Sequence, residues 1–408
     1  MVASLLLSFV GSETLRQQGT CSMAETHDER CGDSCHLAIA CGGTGGHFYP
    51  TLAVAGKFTA MGHRVTLLVA GKHAGEQAAI AAKYGFASRE VPAVRLEAGL
   101  LATLSFPFQL LGCVWAARRI LTDTRPDLLL GMGSFAAVPA CLALPRRTPL
   151  VLHEGNALMG KTNRFFMRKA RAVGLSLPLA DERQLRGARA AMCGMPLREA
   201  LVEVATGKAA APADYLQQLG LQAGRRTVLV FGGSQGARFI NGLISESQAL
   251  LHDVADRVQF IHLTGSDDNS DVIAAYAAAG IAAAVKRSES AIENCYAVAD
   301  LVICRAGASS ICELALFGKP AILIPLPTAA DDHQTVNAQS MAAAGAARFL
   351  AQRDASPALL SDWLRNWLDE PAPWQAMGEA VRRFARPDAA TAMARLLADV
   401  WQERNTQQ

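Results

Sequence analysis

The sequence is poor in charge: 18% of its 408 residues are Asp, Glu, Lys or Arg, and the formal net charge is only +3. That balance makes no case for nucleic acid as a partner, although it leaves room for a modest basic patch against an anionic membrane. A disulfide framework is also lacking. Ten cysteines are scattered along the chain, and most, including Cys41, Cys141, Cys304 and Cys312, lie in apolar contexts. They read as small buried residues of a reducing compartment. The one cluster, Cys31-Gly-Asp-Ser-Cys35-His36 with Cys21 upstream, has no second ligand pair at zinc-like spacing, so no metal is expected there. No Asp-x-Asp triplet occurs, so no metal is expected on a diphosphate either. The apolar run Val2–Val10 has no basic residue before it and makes a poor signal peptide.

What is present begins with length. A chain of 408 residues exceeds what one compact core usually serves, so two domains are expected. Residues 1–35 look unlike the rest and read as a disordered extension, or as a mis-assigned start with Met23 the alternative. From Ala98 to Ala117 there is no charge, but Thr103, Ser105, Pro107, Gln109 and Gly112 interrupt the run. A core helix or a membrane-touching surface fits better than a span, with Arg118 and Arg119 suited to lipid headgroups.

Two segments share one plan. The β-type run His36–Cys41 leads into Gly42-Gly43-Thr44-Gly45-Gly46 and then a helical pattern, with Pro50 in its first turn and Gly62 as its stop. Thr227–Phe231 leads likewise into Gly232-Gly233-Ser234-Gln235-Gly236 and a helix. Apolar runs at Arg64–Ala70, Asp127–Gly131, Pro149–His153 and Ala172–Ser176, then at Val258–Leu263, Asp300–Cys304 and Ala321–Pro325, suit strands of buried parallel sheets. Glu199 to Arg226, rich in Ala and Gly, reads as a linker. The expectation is an α/β protein of two Rossmann-like domains with parallel sheets facing across a cleft.

Each glycine loop would bring backbone N–H groups to a helix N-terminus, where anions are favoured, or is simply a tight turn. Neither is followed by Gly-Lys-Ser/Thr, and Phe48 stands where a dinucleotide fingerprint wants its third glycine, so ATPase and oxidoreductase lose ground. His47, after the first loop, is a candidate general base or a packing histidine. His153-Glu154-Gly155-Asn156 ends a strand, where ligands or a helix cap belong. Arg198 suits a diphosphate. Ser310 and Glu313 have capping-box spacing, and Glu313 is alternatively a ribose ligand. Asp331-Asp332-His333-Gln334 with Asn337 would meet sugar hydroxyls or cap a helix.

In this order the motifs resemble those of the N-acetylglucosaminyltransferase family of bacterial peptidoglycan synthesis, which converts lipid I to lipid II. The stretches are Gly42–His47, Gly131-Met132-Gly133, His153-Glu154-x-Asn156, Gly232–Arg238 with Asn241, Cys304-Arg305-x-Gly307 with Glu313, and Asp332-His333-Gln334 with Asn337. The resemblance runs from about His36 to near the C-terminus. It implies the GT-B fold, with an acceptor and membrane-side domain at 36–198 and a UDP-sugar domain at 199–385. A C-terminal helix at 386–404 would return to the first domain. The implied donor is UDP-N-acetylglucosamine, touched by Thr44, Gly45, Gly46, Asn156, Arg198, Ser234, Gln235, Gly236, Glu313 and Gln334. The implied acceptor is undecaprenyl-linked lipid I, with His47 as base and no cofactor. The protein would be peripheral, on the cytoplasmic face of the inner membrane.

Several positions depart from the family pattern. Gly155 stands for Gln, Ser134-Phe135 for Gly-Tyr and Met195 for Asn, and Lys286-Arg287-Ser288-Glu289-Ser290 replaces the apolar contact to uracil. Losing an aromatic contact would weaken base binding by about 1–3 kcal/mol. The rival functions are another UDP-sugar-dependent glycolipid transferase, a UDP-sugar epimerase and a non-catalytic UDP-sugar-binding protein.

Overall fold

The computed structural model describes residues 34–42, 45–93, 100–232 and 238–406. The expected N-terminal extension, Thr44, Ser234, Gln235 and Gly236 lie outside the described residues. From Cys35 onward the chain forms one compact unit built on two parallel sheets.

The first sheet contains β1 (His36–Gly42), β2 (Arg64–Ala70), β3 (Ala87–Val91), β4 (Leu128–Gly131), β5 (Leu150–Glu154), β6 (Ala170–Leu175) and β7 (Arg189–Met192), in the order β3-β2-β1-β4-β5-β6-β7. The second contains β8 (Arg226–Phe231), β9 (Val258–Leu263), β10 (Ala282–Lys286), β11 (Leu301–Cys304), β12 (Ala321–Leu323) and β13 (Arg348–Phe349), in the order β10-β9-β8-β11-β12-β13. Each therefore repeats the doubly wound order, the chain reversing direction across the sheet between its first and fourth strands. Those two switch points, β1/β4 and β8/β11, are where such sheets open a crevice at their C-terminal ends.

Strand alternation distributes the core. Along β1, Leu37, Ile39 and Cys41 face one layer, with Phe48, Phe58, Met393 and Leu397. Ala38 and Ala40 face the other, with Ala117 and Leu121. In β8, Leu229 and Phe231 point one way and Val228 and Val230 the other. The helix Ala389–Thr406 lies against the helix Gly45–Ala60 and supplies Met393, Leu397 and Val400 to the first sheet's core.

Two sequence expectations need correction, and a third holds. Glu199 to Arg226 is no bare linker: it holds the helices Glu199–Ala205 and Tyr215–Gln218, and buries Leu201, Tyr215 and Leu221 in the second sheet's core. The first helix begins at Gly45, so Pro50 lies beyond its first turn. Proline has no N–H to return to the carbonyl four residues back, which frees the backbone at Gly46. Gly62, at φ +89°, does end that segment. The uncharged run falls in the helix Leu100–Thr124, and among the described residues no helix is long and apolar enough to cross a membrane. Its inner face buries Cys113, Ala117 and Leu121, while Phe108, Leu111 and Trp115 stand exposed. Spacings of three and four put those three on one outward stripe. Arg119 lies over the Trp115 ring at 4.1 Å, and Arg118, also exposed, donates to Ala143 O at 2.9 Å.

Candidate functional site

The β1/β4 switch point carries His47. Its Nδ1 lies 2.9 Å from the carbonyl oxygen of Met132, the residue just past β4. A carbonyl can only accept, so Nδ1 carries the hydrogen and Nε2 is left with its lone pair. Burial moves the His47 pKa below its ordinary value, against upward pulls from the Glu154 carboxylate and the Met132 contact. The imidazole is therefore neutral at pH 7, as a base must be. Gly133 makes the turn possible. It sits at φ +80°, and a Cβ there would fall 3.0 Å from Asn163 Nδ2 and 3.1 Å from His153 O.

Glu154 ends β5, and its buried carboxylate ties up the loop that follows. Oε1 accepts from Asn156 N at 3.0 Å and Asn156 Nδ2 at 3.3 Å; Oε2 accepts from Gly160 N at 2.9 Å and Asn163 Nδ2 at 2.8 Å. Four donors compensate a buried charge that would otherwise be costly. His153 next to it is buried, bonded through Nε2 to Ser176 Oγ at 2.9 Å, and pushed down to about 4 by burial. It is a structural histidine.

Asn337 reaches this loop from the helix His333–Ala343, which follows β12. Its Oδ1 accepts from Ala157 N at 2.8 Å, and its Nδ2 donates to Asn156 Oδ1 and to Ala306 O, both at 3.0 Å. The Asn156 amide is thus engaged inside the protein on both its atoms. Asp331 makes a second crossing, pairing with Lys161 at 2.6 Å and Arg164 at 3.8 Å. It does so from a left-handed backbone, φ 54°, which Asp332 shares at 55°.

Glu313 lies on the helix Ala308–Phe317, whose N-cap is Gly307, so the capping box read at Ser310 and Glu313 does not form. Its carboxylate instead accepts from Tyr296 OH at 2.8 Å, and burial raises its pKa to about 7. Arg198 lowers that value electrostatically. The Arg198 guanidinium lies 5.8 Å from the Tyr49 ring on the first helix and donates to Ser290 O at 3.2 Å on the second half. It bridges the two sides of the crevice. Gln334 accepts from Leu326 N through Oε1 at 3.0 Å, so Nε2 is the group it has to offer. Asp332 accepts from Thr335 Oγ1 at 2.6 Å and makes no backbone cap. Arg305 is structural, tying Ile324 O and Pro325 O at the end of β12.

The unusual segment after β10 is held by its own charges. Lys286 Nζ lies 2.8 Å from Glu289 Oε2, and Tyr215 OH donates to the same oxygen at 3.4 Å. Gly155 and Met195 explain each other. A Cβ at Gly155 would sit 3.0 Å from the Met195 methyl, so the buried thioether fills the volume a side chain at 155 would need. Sequence reasoning missed the Met132 carbonyl, Tyr296 and Tyr49. Only Gly131-Met132-Gly133 carried any signal for them, as a glycine-flanked strand end.

Two family models match the chain: the glycosyltransferase family 28 N-terminal domain over residues 37–175 and the family's C-terminal domain over 227–393. Among curated proteins, a UDP-N-acetylglucosamine–N-acetylmuramyl-(pentapeptide) pyrophosphoryl-undecaprenol N-acetylglucosamine transferase of Verminephrobacter eiseniae is 40% identical, covering 82% of this chain and 90% of its own. One of the same description from Geobacter sulfurreducens is 36% identical, covering 88% and 96%. Among solved structures, Acinetobacter baumannii MurG superposes with a TM-score of 0.70 at 25% identity, covering 90% of this chain and 99% of its own. A UDP-GlcNAc 2-epimerase of Neisseria meningitidis, at TM-score 0.64 and 12% identity, covers 89% and 99% and shares the fold alone.

Proposed function

Since the chain belongs to glycosyltransferase family 28, we propose that it transfers N-acetylglucosamine from UDP-N-acetylglucosamine to the C4 hydroxyl of a muramoyl-pentapeptide carried on undecaprenyl diphosphate. The full-length likeness to curated enzymes described by that activity supports this reading. The observation that carries it is the neutral His47 beside the β1/β4 switch point, its Nδ1 held by Met132 O and its Nε2 left as the basic atom.

In the proposed reaction His47 Nε2 takes the proton from the acceptor hydroxyl as its oxygen attacks the anomeric carbon. The bond from that carbon to the β-phosphate oxygen breaks, and the configuration inverts. Charge grows on the departing UDP, where the glycine-loop amides of Gly45, Gly46, Ser234, Gln235 and Gly236, together with Arg198, would stabilise it. Ionised Glu313 would accept the ribose hydroxyls, and Gln334 Nε2 and Thr44 would hold the sugar and phosphates. Asn156, engaged with Asn337 and Glu154, would shape the donor site chiefly by holding its loop.

Residues 36–198 with the C-terminal helix would form the acceptor domain, and 199–385 the donor domain. The protein would be peripheral on the cytoplasmic face of the inner membrane, with Phe108, Leu111, Trp115 and Arg119 against the lipid; their exposure supports that orientation. The chemistry is tested by turning over UDP-N-acetylglucosamine with a lipid I analogue and reading the product's anomeric coupling by NMR. A β-linked disaccharide is expected. An α-linked product, or an epimerised donor with the acceptor untouched, overturns the mechanism.

A further inference from the structure

A cavity of about 470 Å³ opens at the C-terminal edge of the first sheet, lined by Gly71, Lys72, Glu90, Val91, Ser134 and Phe135 among others. Its size is that of a small-ligand pocket. None of the residues assigned above to donor or base lines it. We infer that it holds the peptide arm of the acceptor, Lys72 meeting a peptide carboxylate; this rests on the transferase reading above.

Position is the first reason. Gly42, where β1 enters the glycine loop, lies so close to its neighbours that a Cβ there would overlap Ala70 O and stand 2.9 Å from the Ala136 Cβ. Ala136 lines the cavity, and so does Gly71, the residue after Ala70. The wall of the cavity is therefore packed directly on the root of the loop before His47. Its other wall starts at Ser134, two residues past the carbonyl that aims His47.

Chemistry is the second reason. Val91, Pro92, Ala93, Phe135 and Ala136 give apolar walls, while Lys72 and Glu90 put opposite charges at the rim. A hydrocarbon chain offers those two charges nothing, whereas a peptide brings carboxylate and amino groups to them. Short apolar side chains and terminal charge are what this lining matches. β3, which contributes Glu90 and Val91, ends the first sheet among the described residues, and an edge strand is a template for an extended peptide.

The test uses the full-length protein, UDP-N-acetylglucosamine and two soluble lipid-linked muramoyl diphosphates, one with the pentapeptide and one with a bare lactyl carboxylate. Lys72→Glu reverses the rim charge and Ala93→Trp plugs the cavity from an exposed loop. Each should raise KM for the pentapeptide acceptor about tenfold, the effect of losing one well-placed contact, while kcat and the constants for the bare acceptor stay within about twofold. Equal effects on both acceptors, or none on either, overturn the inference, as does a KM change that follows the length of the lipid instead of the peptide. Wild-type protein that releases no UDP with either acceptor overturns the transferase reading itself, and is distinguishable from every variant outcome.

Discussion

The Asn337 side chain, fully buried, donates to Asn156 Oδ1 at 3.0 Å across 181 positions of sequence. Through its other contacts, to Ala157 N and Ala306 O, one amide binds the end of β5 to the end of β11. The two crevice walls are thus registered by a residue that itself need touch no substrate.

Asn337→Ala removes three hydrogen bonds and leaves Ala157 N and Ala306 O without a partner. The expected loss is about 3 kcal/mol, from roughly 1 kcal/mol per net hydrogen bond. Urea denaturation followed by tryptophan fluorescence checks this; an unchanged midpoint would mean that water replaces the amide without cost.

His47→Ala should lower kcat by about 10²- to 10⁴-fold, the usual worth of a positioned base, with donor KM little changed. Because burial lowers the His47 pKa, the acidic limb of the wild-type kcat profile should lie below the ordinary histidine value. The imidazole is competent above its pKa and lost as pH falls through it. A limb displaced to higher pH would contradict this environment.

Glu313, raised to about 7 by burial, should make donor binding pH-dependent. The ionised form accepts ribose hydroxyls, so donor KM should rise as pH drops below about 7. Stability runs the other way. The folded state holds this proton more tightly than the unfolded one, so folding is favoured as pH falls from about 7 toward 4.5. Glu313→Gln should flatten both dependences, measured by donor titration and by thermal melts at pH 5, 6, 7 and 8. If the variant keeps the wild-type slopes, another group is titrating.

The stripe of Phe108, Leu111 and Trp115 is 76%, 64% and 61% exposed. Replacing all three by Ser should abolish co-sedimentation with anionic vesicles and leave the melting temperature within a few degrees, since no core contact is lost. Retained vesicle binding would move the lipid contact elsewhere.

Nine strands were legible as apolar runs, while β3, β7, β10 and β13 were not. All four are sheet edges. An edge strand is half solvated and needs no continuous apolar run: β3 reads Ala-Ser-Arg-Glu-Val, with only Val91 buried. The glycine loops and His47 were visible because a glycine run directly after an apolar run stands out in the sequence. The Met132 carbonyl was not, since any residue supplies one. The capping-box reading of Glu313 failed because the helix starts three residues earlier than Ser310 would require, at Gly307. The resulting environment under Tyr296 is a tertiary fact that no local spacing encodes.

The central claim is tested most directly by UDP release from UDP-N-acetylglucosamine, measured for wild-type and His47→Ala protein with and without a lipid I analogue. Acceptor-dependent release by the wild type, lost in the variant while donor binding persists, is the predicted result. Release that ignores the acceptor, or that survives the loss of His47, would contradict it.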